Sequence, residues 1–140
     1  MENTGFENSG GPLVSRVDRI IRIAGYACVV LIGVLSLLPG TLRPDTGAPG
    51  KLEHLIAYLG TAALLALGRS APHQRWQALW LVPYAGALEL AQLYIPGRHA
   101  QFSDFVVSSI GAALGLAIAF AIAPLLPQLL ASLSLSGKRA

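Results

Sequence analysis

Two polar side chains interrupt the apolar run from residue 76 to residue 95. Glu89 and Gln92 lie three residues apart there, so they share one face of a helix. Glu89 precedes Ile95 by six residues, which places it about 9 Å from the end of a helix that rises about 1.5 Å per residue. A carboxylate at that depth is costly to ionise unless a cation or a hydrogen-bond donor faces it. We therefore predict that Glu89 points into the interior of a helix bundle.

Charged side chains that could face the Glu89 carboxylate lie at the ends of the neighbouring apolar runs. Lys51 and His54 begin the second run, and Arg98 lies in the loop that leads to the fourth run. Arg98 can hold Glu89 through a bidentate pair, a geometry that lysine cannot match. We predict a single polar binding site at the ends of the runs, with these members: Lys51, His54, Glu89, Gln92, Arg98 and Asp104.

Four apolar runs must position these side chains. The chain has 140 residues, of which 54% are hydrophobic and 12% are charged, whereas soluble domains carry about a quarter charged residues. A helix that crosses the hydrocarbon needs about 20 mostly apolar residues. We predict an all-α membrane protein, a compact bundle of four transmembrane helices over about residues 20–38, 51–68, 76–95 and 104–130. They belong to one domain, 16–135, between a disordered tail, 1–15, and a basic tail, 136–140.

The distribution of lysine and arginine predicts the orientation. Four crossings place both termini on one side of the membrane, and seven of the ten basic residues fall on that side. Because basic residues are enriched in cytoplasmic segments, we expect a multi-pass protein of the plasma (inner) membrane with both termini in the cytoplasm. The remaining basic residues lie on the outer side, with the candidate site: Arg43, Lys51 and Arg98.

Several functional classes are not indicated by the sequence. The net charge is +3, but the basic residues form no stripe with interleaved aromatic residues, so nucleic acid is not an expected partner. Cys28 is the only cysteine and is predicted to pack among apolar side chains, because it has no partner for a disulfide or a Cys-x-x-Cys motif. We predict no cofactor and no metal. No His-Glu-x-x-His or similar spacing is present, although suitable ligands exist: His54, His99, Glu89 and Asp104.

The same polar positions resemble those of a known family. The stretch GKLEHLIAYLG, residues 50–60, looks like the Lys-x-x-His motif of the VanZ-like membrane proteins. The stretch ELAQLYIPGRHAQFSDFVVSSIGAALG, residues 89–115, is similar to that family's Glu-x-x-Gln, Pro-x-Arg and following Asp. Two positions differ: Gly50 stands where the family usually has Asp, and Ser108 where it usually has Asn. The resemblance implies a four-helix membrane fold and a cell-envelope or glycopeptide-resistance-like role.

Three interpretations follow for a polar cleft that opens to the outer face. In the first, Lys51, Arg98 and a protonated His54 bind an anionic group of a membrane lipid or a lipid-linked envelope precursor. In the second, the protein is a membrane-embedded hydrolase or transferase that acts on a lipid headgroup, with His54 or Glu89 as general base. The sequence favours binding, because it offers no recognisable nucleophile or metal motif. The third interpretation is structural, an ion-paired plug that locks the outer ends of helices two, three and four.

The individual side chains also have structural interpretations. Ser103 or Asp104 can cap the fourth helix. Lys51 and Arg98 can extend to the lipid headgroups at the interface, and His54 can form a hydrogen bond between helices. These interpretations stay open beside the functional ones.

Small residues and a proline predict how the helices pack. Gly111 and Gly115 form a Gly-x-x-x-Gly motif in the fourth helix, which lets backbones approach where lipid supplies no hydrophobic drive. Pro83 deprives the Leu79 carbonyl of its usual partner and is expected to bend the third helix. Four short helices are few for a transporter, so transport would require a homo-oligomer, which stays an open alternative.

Overall fold

Helices account for all regular secondary structure in the part of the chain that the structure describes. A computed structural model describes residues 12–42, 44, 47–68, 75–126 and 128. Its α-helices are α1 Pro12–Leu37, α2 Gly50–Leu67, α3 Leu81–Gln92 and α4 Phe102–Ile122, with short 3-10 helices at Gly40–Leu42 and Trp76–Trp80. The predicted all-α class is confirmed for these residues.

Helix α1 begins earlier than the apolar run suggests. It starts at Pro12, so it includes residues 12–15 of the predicted tail. Proline is favoured at the first position of a helix, because its φ is already helical and its missing N–H would have no partner there. Residues 1–11 and the predicted basic tail, 136–140, lie outside the described residues.

Prolines shorten the third and fourth helices relative to the predicted ranges. The expected helix 76–95 is divided into the 3-10 helix Trp76–Trp80 and helix α3, Leu81–Gln92. Pro83 has no N–H to donate to the Leu79 carbonyl, so regular α-helical bonding cannot continue through this turn. Helix α4 ends at Ile122 rather than near residue 130, because Pro124 cannot donate the N–H that a further turn requires. Helix α2 lies within one residue of its predicted range.

The helices run alternately up and down. Gly68, just after α2, lies against the backbone of Arg22 near the start of α1, so these two helices are antiparallel. The Tyr84 hydroxyl of α3 donates a hydrogen bond of 3.0 Å to the Val29 carbonyl of α1. The ends of α1 and α3 and the starts of α2 and α4 therefore meet, as contacts between them show. We call this end the polar end and define it as residues 35–40, 50–54 and 89–104.

Helices α2 and α4 form the most extensive helix pair. A Cβ atom on Gly111 would lie 2.5 Å from the Leu55 carbonyl oxygen, and one on Gly115 would overlap the Leu59 carbonyl. Only glycine lets the two backbones approach so closely, as the Gly-x-x-x-Gly motif predicts. The buried core has contributions from all four helices: Ile32, Tyr58, Ala62, Leu65, Leu81, Ala85, Leu116 and Ala119.

Large apolar side chains cover the outer face of α4. They recur at every fourth position and are exposed: Val106, Ile110, Leu114, Ile118 and Ile122. The opposite, buried face consists mainly of glycine, alanine and serine. A helix of a water-soluble protein has the reverse arrangement, with its large apolar side chains inside. Helix α4 thus has the distribution expected of a helix surrounded by lipid.

Two helices in the described part of the chain are long and apolar enough to cross a membrane. They are Ser15–Leu37 and Phe102–Ile122, each with a mean hydropathy of 2.3. In the most apolar 18-residue stretch of the first segment, only 11% of the residues are buried within the protein. Helices α2, with 18 residues, and α3, with 12, do not meet the same test. Length and composition therefore support two of the four predicted spans.

Gly115→Ala tests the contact between α2 and α4. The added methyl group would meet the Leu59 carbonyl and force the backbones apart, which lowers the unfolding free energy by about 1–3 kcal/mol. Gly60→Ala in α2 is the matched control, because nothing lies within 4 Å of a Cβ atom there and alanine stabilises a helix interior by about 1 kcal/mol. Unfolding of the purified protein in detergent measures both, and equal effects would contradict the contact.

Candidate functional site

The candidate site lies at the polar end, where three helices and a loop meet. His54 is in α2, Glu89 and Gln92 are in α3, Arg98 is in the loop that follows, and Asp104 is in the first turn of α4. The structure brings three of these side chains together. One ring nitrogen of His54 and one carboxylate oxygen each of Glu89 and Asp104 lie within 4.8 Å of one another, and all three side chains are half-buried.

The His54 ring is held between two side chains of α4. Its Nε2 lies 3.8 Å from Asp104 Oδ2, and its Nδ1 lies 3.4 Å from Ser108 Oγ. Asp104 and Ser108 are four residues apart and so share one face of the helix. Ser108 is 1% exposed, whereas the His54 and Asp104 side chains are 17% and 18% exposed. The imidazole therefore has a carboxylate at one nitrogen and a buried hydroxyl group at the other.

Glu89 anchors the start of α4. Its Oε2 accepts a hydrogen bond of 3.0 Å from the backbone N–H of Gln101, the residue just before the helix. N–H groups at the start of a helix lack partners within it, so this carboxylate satisfies one from a neighbouring helix. Among the described residues, no ion pair joins Glu89 to Arg98, so the bidentate pair expected from the sequence is not formed.

Arg98 and Gln92 cap the end of α1. Arg98 Nη2 donates to the carbonyl oxygens of Leu35 and Ser36 at 3.1 and 3.0 Å, and Gln92 Nε2 donates to the Ser36 carbonyl at 3.2 Å. The last carbonyls of a helix have no partners within it, and a cationic donor also suits the negative end of the helix dipole. Both side chains were predicted to line a binding site, and both have a structural role at α1.

The loop before α4 is fixed against the end of α1. The Gly40 N–H donates a hydrogen bond of 3.2 Å to the Pro96 carbonyl. Gly97 has a φ of +73°, a conformation that side chains disfavour and glycine tolerates. The Arg98 N–H then closes a turn with the Ile95 carbonyl at 3.2 Å. These contacts direct the Arg98 side chain back over α1.

The start of α4 is not capped as the sequence suggests. The capping position is occupied by Gln101, which makes no side-chain cap hydrogen bond, so the prediction of Ser103 or Asp104 as the cap is wrong. Asp104 is the third residue of the helix, and its N–H bonds to the Gln101 carbonyl at 2.8 Å. Its Oδ1 lies 3.4 Å from Ser103 Oγ. A carboxylate in this turn is also favoured by the positive end of the helix dipole.

Two cavities meet at His54 and Arg98. The polar cavity has a volume of about 240 Å³ and is lined by Gly50, His54, Gln92, Gly97, Arg98, His99, Gln101 and Asp104. The second cavity has a volume of about 200 Å³ and a mostly apolar surface, and it is lined by Ile32, Leu35, Ser36, Pro44, Glu53, His54, Ala57, Tyr58 and Arg98. We call it the apolar cavity. Lys51 is exposed in the first turn of α2 and lines neither cavity.

Four contributors to the site are absent from the predicted set of site residues. Gln101, Leu35 and Ser36 contribute backbone groups, which the residue type does not indicate. Ser108 contributes a side chain, and two signals could have identified it: its place in the family motif and its position one helical turn after Asp104.

The chain matches no protein-family model, and comparisons with curated proteins and with solved structures also find no match. The VanZ-like resemblance therefore rests on the motifs in residues 50–60 and 89–115. The site has to be interpreted from its own geometry.

Arg98→Ala tests the capping of α1. Loss of the guanidinium leaves two carbonyls without their charged donor, and hydrogen bonds to charged groups contribute about 1.5–3 kcal/mol. We expect an unfolding free energy lower by about that amount in detergent. Lys51→Ala is the matched control, because it removes one positive charge from an exposed position at the same end. A loss of the same size in both variants, or none in Arg98→Ala, would argue against the capping role.

Proposed function

We propose that this protein is a multi-pass protein of the plasma (inner) membrane that binds an anionic lipid headgroup or a lipid-linked envelope precursor at its polar end. Four helices cross the membrane, both termini lie in the cytoplasm and the polar end faces outward. The observation that carries this proposal is a polar cavity directly beside a mostly apolar one, an arrangement that suits an amphipathic ligand.

Packing and exposure support four crossings. Helices α2 and α3 both pack against α4, one of the two candidate spans, so they share its depth. Ile56 of α2 and Leu90 of α3 are exposed, as expected of residues that face lipid. Trp76 and Trp80 are exposed at the end opposite the polar end, and tryptophan is enriched at membrane interfaces.

Two cationic side chains of the polar end, Arg98 and Lys51, would contact an anionic ligand, and the same end also carries the carboxylates of Glu53, Glu89 and Asp104. Arg98 borders both cavities, and Lys51 is exposed beside them in the first turn of α2. Helices α2 and α4 both begin at this end, where backbone N–H groups and the positive ends of the helix dipoles favour anions. The ligand would therefore place its acidic group in the polar cavity and its apolar part between α1 and α2.

The VanZ-like resemblance supports a cell-envelope or glycopeptide-resistance-like role. Both positions at which this chain departs from the family are at the site, since Gly50 lines the polar cavity and Ser108 contacts His54. A glycine in place of the usual aspartate removes a negative charge from that cavity. This change favours binding of an anion.

Anionic lipid should stabilise the purified protein more than zwitterionic lipid does. The measurement is the melting temperature in neutral detergent with short-chain phosphatidylglycerol or with phosphatidylcholine of the same chain length. Ala57→Phe fills the apolar cavity, and Lys51→Gln removes an outer charge. Each should lower the apparent affinity for phosphatidylglycerol, the former by about tenfold, or about 1.4 kcal/mol.

Ala87→Phe is the matched control for the filled cavity. It adds the same side chain at an exposed position of α3, so the lipid-dependent shift should equal that of the wild type. Equal stabilisation by both lipids, or a phosphatidylglycerol effect that survives Ala57→Phe and Lys51→Gln unchanged, would contradict the binding function.

A second candidate function, a hydrolase or transferase that acts on a lipid headgroup, is favoured by the contact between His54 and Asp104. A carboxylate 3.8 Å from one imidazole nitrogen is suited to orient a general base. Glu89 is in the same cluster and is the other candidate base. Ser108 is 1% exposed, which favours a supporting role beside the ring over that of a nucleophile.

Turnover separates this enzyme from a binding protein. An enzyme reconstituted in vesicles of mixed phospholipids should convert one lipid species with time, as measured by mass spectrometry. His54→Ala should slow that conversion by about 10²–10⁴-fold, the usual contribution of a general base, whereas Ala87→Phe should not. A lipid composition that stays constant in the presence of the wild-type protein would rule out turnover of those lipids.

A further inference from the structure

We propose that His54, Glu89 and Asp104 bind a divalent transition-metal ion of the zinc type. Their nitrogen and oxygen atoms already lie within 4.8 Å of one another. The three residues come from α2, α3 and α4, so helix packing rather than local sequence spacing assembles the site. This inference goes beyond lipid binding and does not depend on it.

The distances in the cluster are close to those of a metal site. Zinc binds histidine nitrogen and carboxylate oxygen at about 2.0–2.2 Å, so ligand atoms in a tetrahedral site lie about 3.4 Å apart. His54 Nε2 and Asp104 Oδ2 are 3.8 Å apart. The remaining separations, at most 4.8 Å, would close by a shift of about 1–1.5 Å to reach the same geometry. The flexible side chain of Glu89 can supply that shift.

Contacts around the cluster resemble the outer shell of a metal site. A histidine ligand usually donates its other ring N–H to an oxygen, and Ser108 Oγ lies 3.4 Å from His54 Nδ1. Nε2 is the ring nitrogen that faces Asp104, and it would bind the metal. The Gln101 N–H holds one oxygen of Glu89, and such hydrogen bonds orient ligating carboxylates.

The charge of the cluster favours a divalent cation. Two half-buried carboxylates in one site repel each other unless a cation lies close to both. Among the described residues, the ion-pair contact of Asp104 is with His54, and neither Glu89 nor Asp104 pairs with a lysine or an arginine. A protonated His54 would offset one negative charge, whereas a divalent ion would offset both.

The donor set indicates the kind of metal. Imidazole with carboxylates suits zinc and its transition-metal neighbours, whereas Mg²⁺ and Ca²⁺ prefer oxygen ligands alone. Three protein ligands leave a fourth position open, as in catalytic zinc sites. A water molecule or an acidic oxygen of a ligand could occupy it.

Zinc binding by the full-length protein in detergent tests the site. After metal is removed with EDTA, calorimetric titration with Zn²⁺ should show one ion per chain and tighter binding than Mg²⁺. Ser108→Ala should weaken zinc binding by about 10-fold, within the usual range for an outer-shell partner. Loss of a direct ligand in His54→Ala, Glu89→Gln or Asp104→Asn should weaken it by about 100-fold or more, beyond that range.

The controls separate this site from adventitious binding and from unfolding. Asp18→Asn removes a carboxylate near the start of α1, at the end of the bundle opposite the cluster, and it should bind zinc as the wild type does. Each variant is compared with its own metal-free melting temperature, so a less stable variant still reports binding. Absence of one-to-one binding in the wild type, unchanged binding in the three ligand variants, or an equal loss in Asp18→Asn would overturn the proposal. The melting temperatures with phosphatidylglycerol and phosphatidylcholine are measured without metal. A negative result there would contradict lipid binding and leave the zinc result unaffected.

Discussion

The backbones of α2 and α4 touch at Gly111 and Gly115, where any side chain would meet a carbonyl group of α2. This contact determines the geometry of the polar end, because it brings one face of α4 against the first turns of α2. Asp104 and Ser108 then lie on either side of the His54 ring. If the two helices moved apart, the imidazole would lose both neighbours together. The position of the His54 ring thus depends on glycines farther along the bundle.

The polar side chains at the polar end make two kinds of contact. Arg98 and Gln92 satisfy carbonyl groups at the end of α1, and Glu89 satisfies an N–H group at the start of α4. An unsatisfied buried backbone group costs about 1–3 kcal/mol, so these hydrogen bonds give Arg98, Gln92 and Glu89 a structural role. His54 and Asp104 contact each other instead. Glu89 also lies close to His54 and Asp104. It therefore has a structural contact, with the Gln101 N–H, and is also a member of the candidate functional cluster.

The sequence was informative where a side chain's own chemistry constrained its surroundings. The cost of a buried carboxylate indicated that Glu89 needs a partner inside the bundle, but not that the partner is the Gln101 backbone. The Gly-x-x-x-Gly motif predicted a close helix contact, which Gly111 and Gly115 make. The start of α1 was missed, because Arg16, Asp18 and Arg19 interrupt the apolar run before residue 20, although these residues are helical. Pro83 was noted as a source of bending, yet its effect is a 3-10 turn and a shorter helix.

The proposed function requires a polar end that faces the outside of the cell, and labelling of single cysteines tests this orientation directly. In a Cys28→Ser background, His99→Cys reports the polar end and Gln77→Cys the opposite end, both at exposed positions. A membrane-impermeant maleimide applied to intact cells should label His99→Cys, and it should label Gln77→Cys only after permeabilisation. Labelling of Gln77→Cys in intact cells, with His99→Cys protected, would contradict the proposed orientation and exclude an outward-facing ligand site.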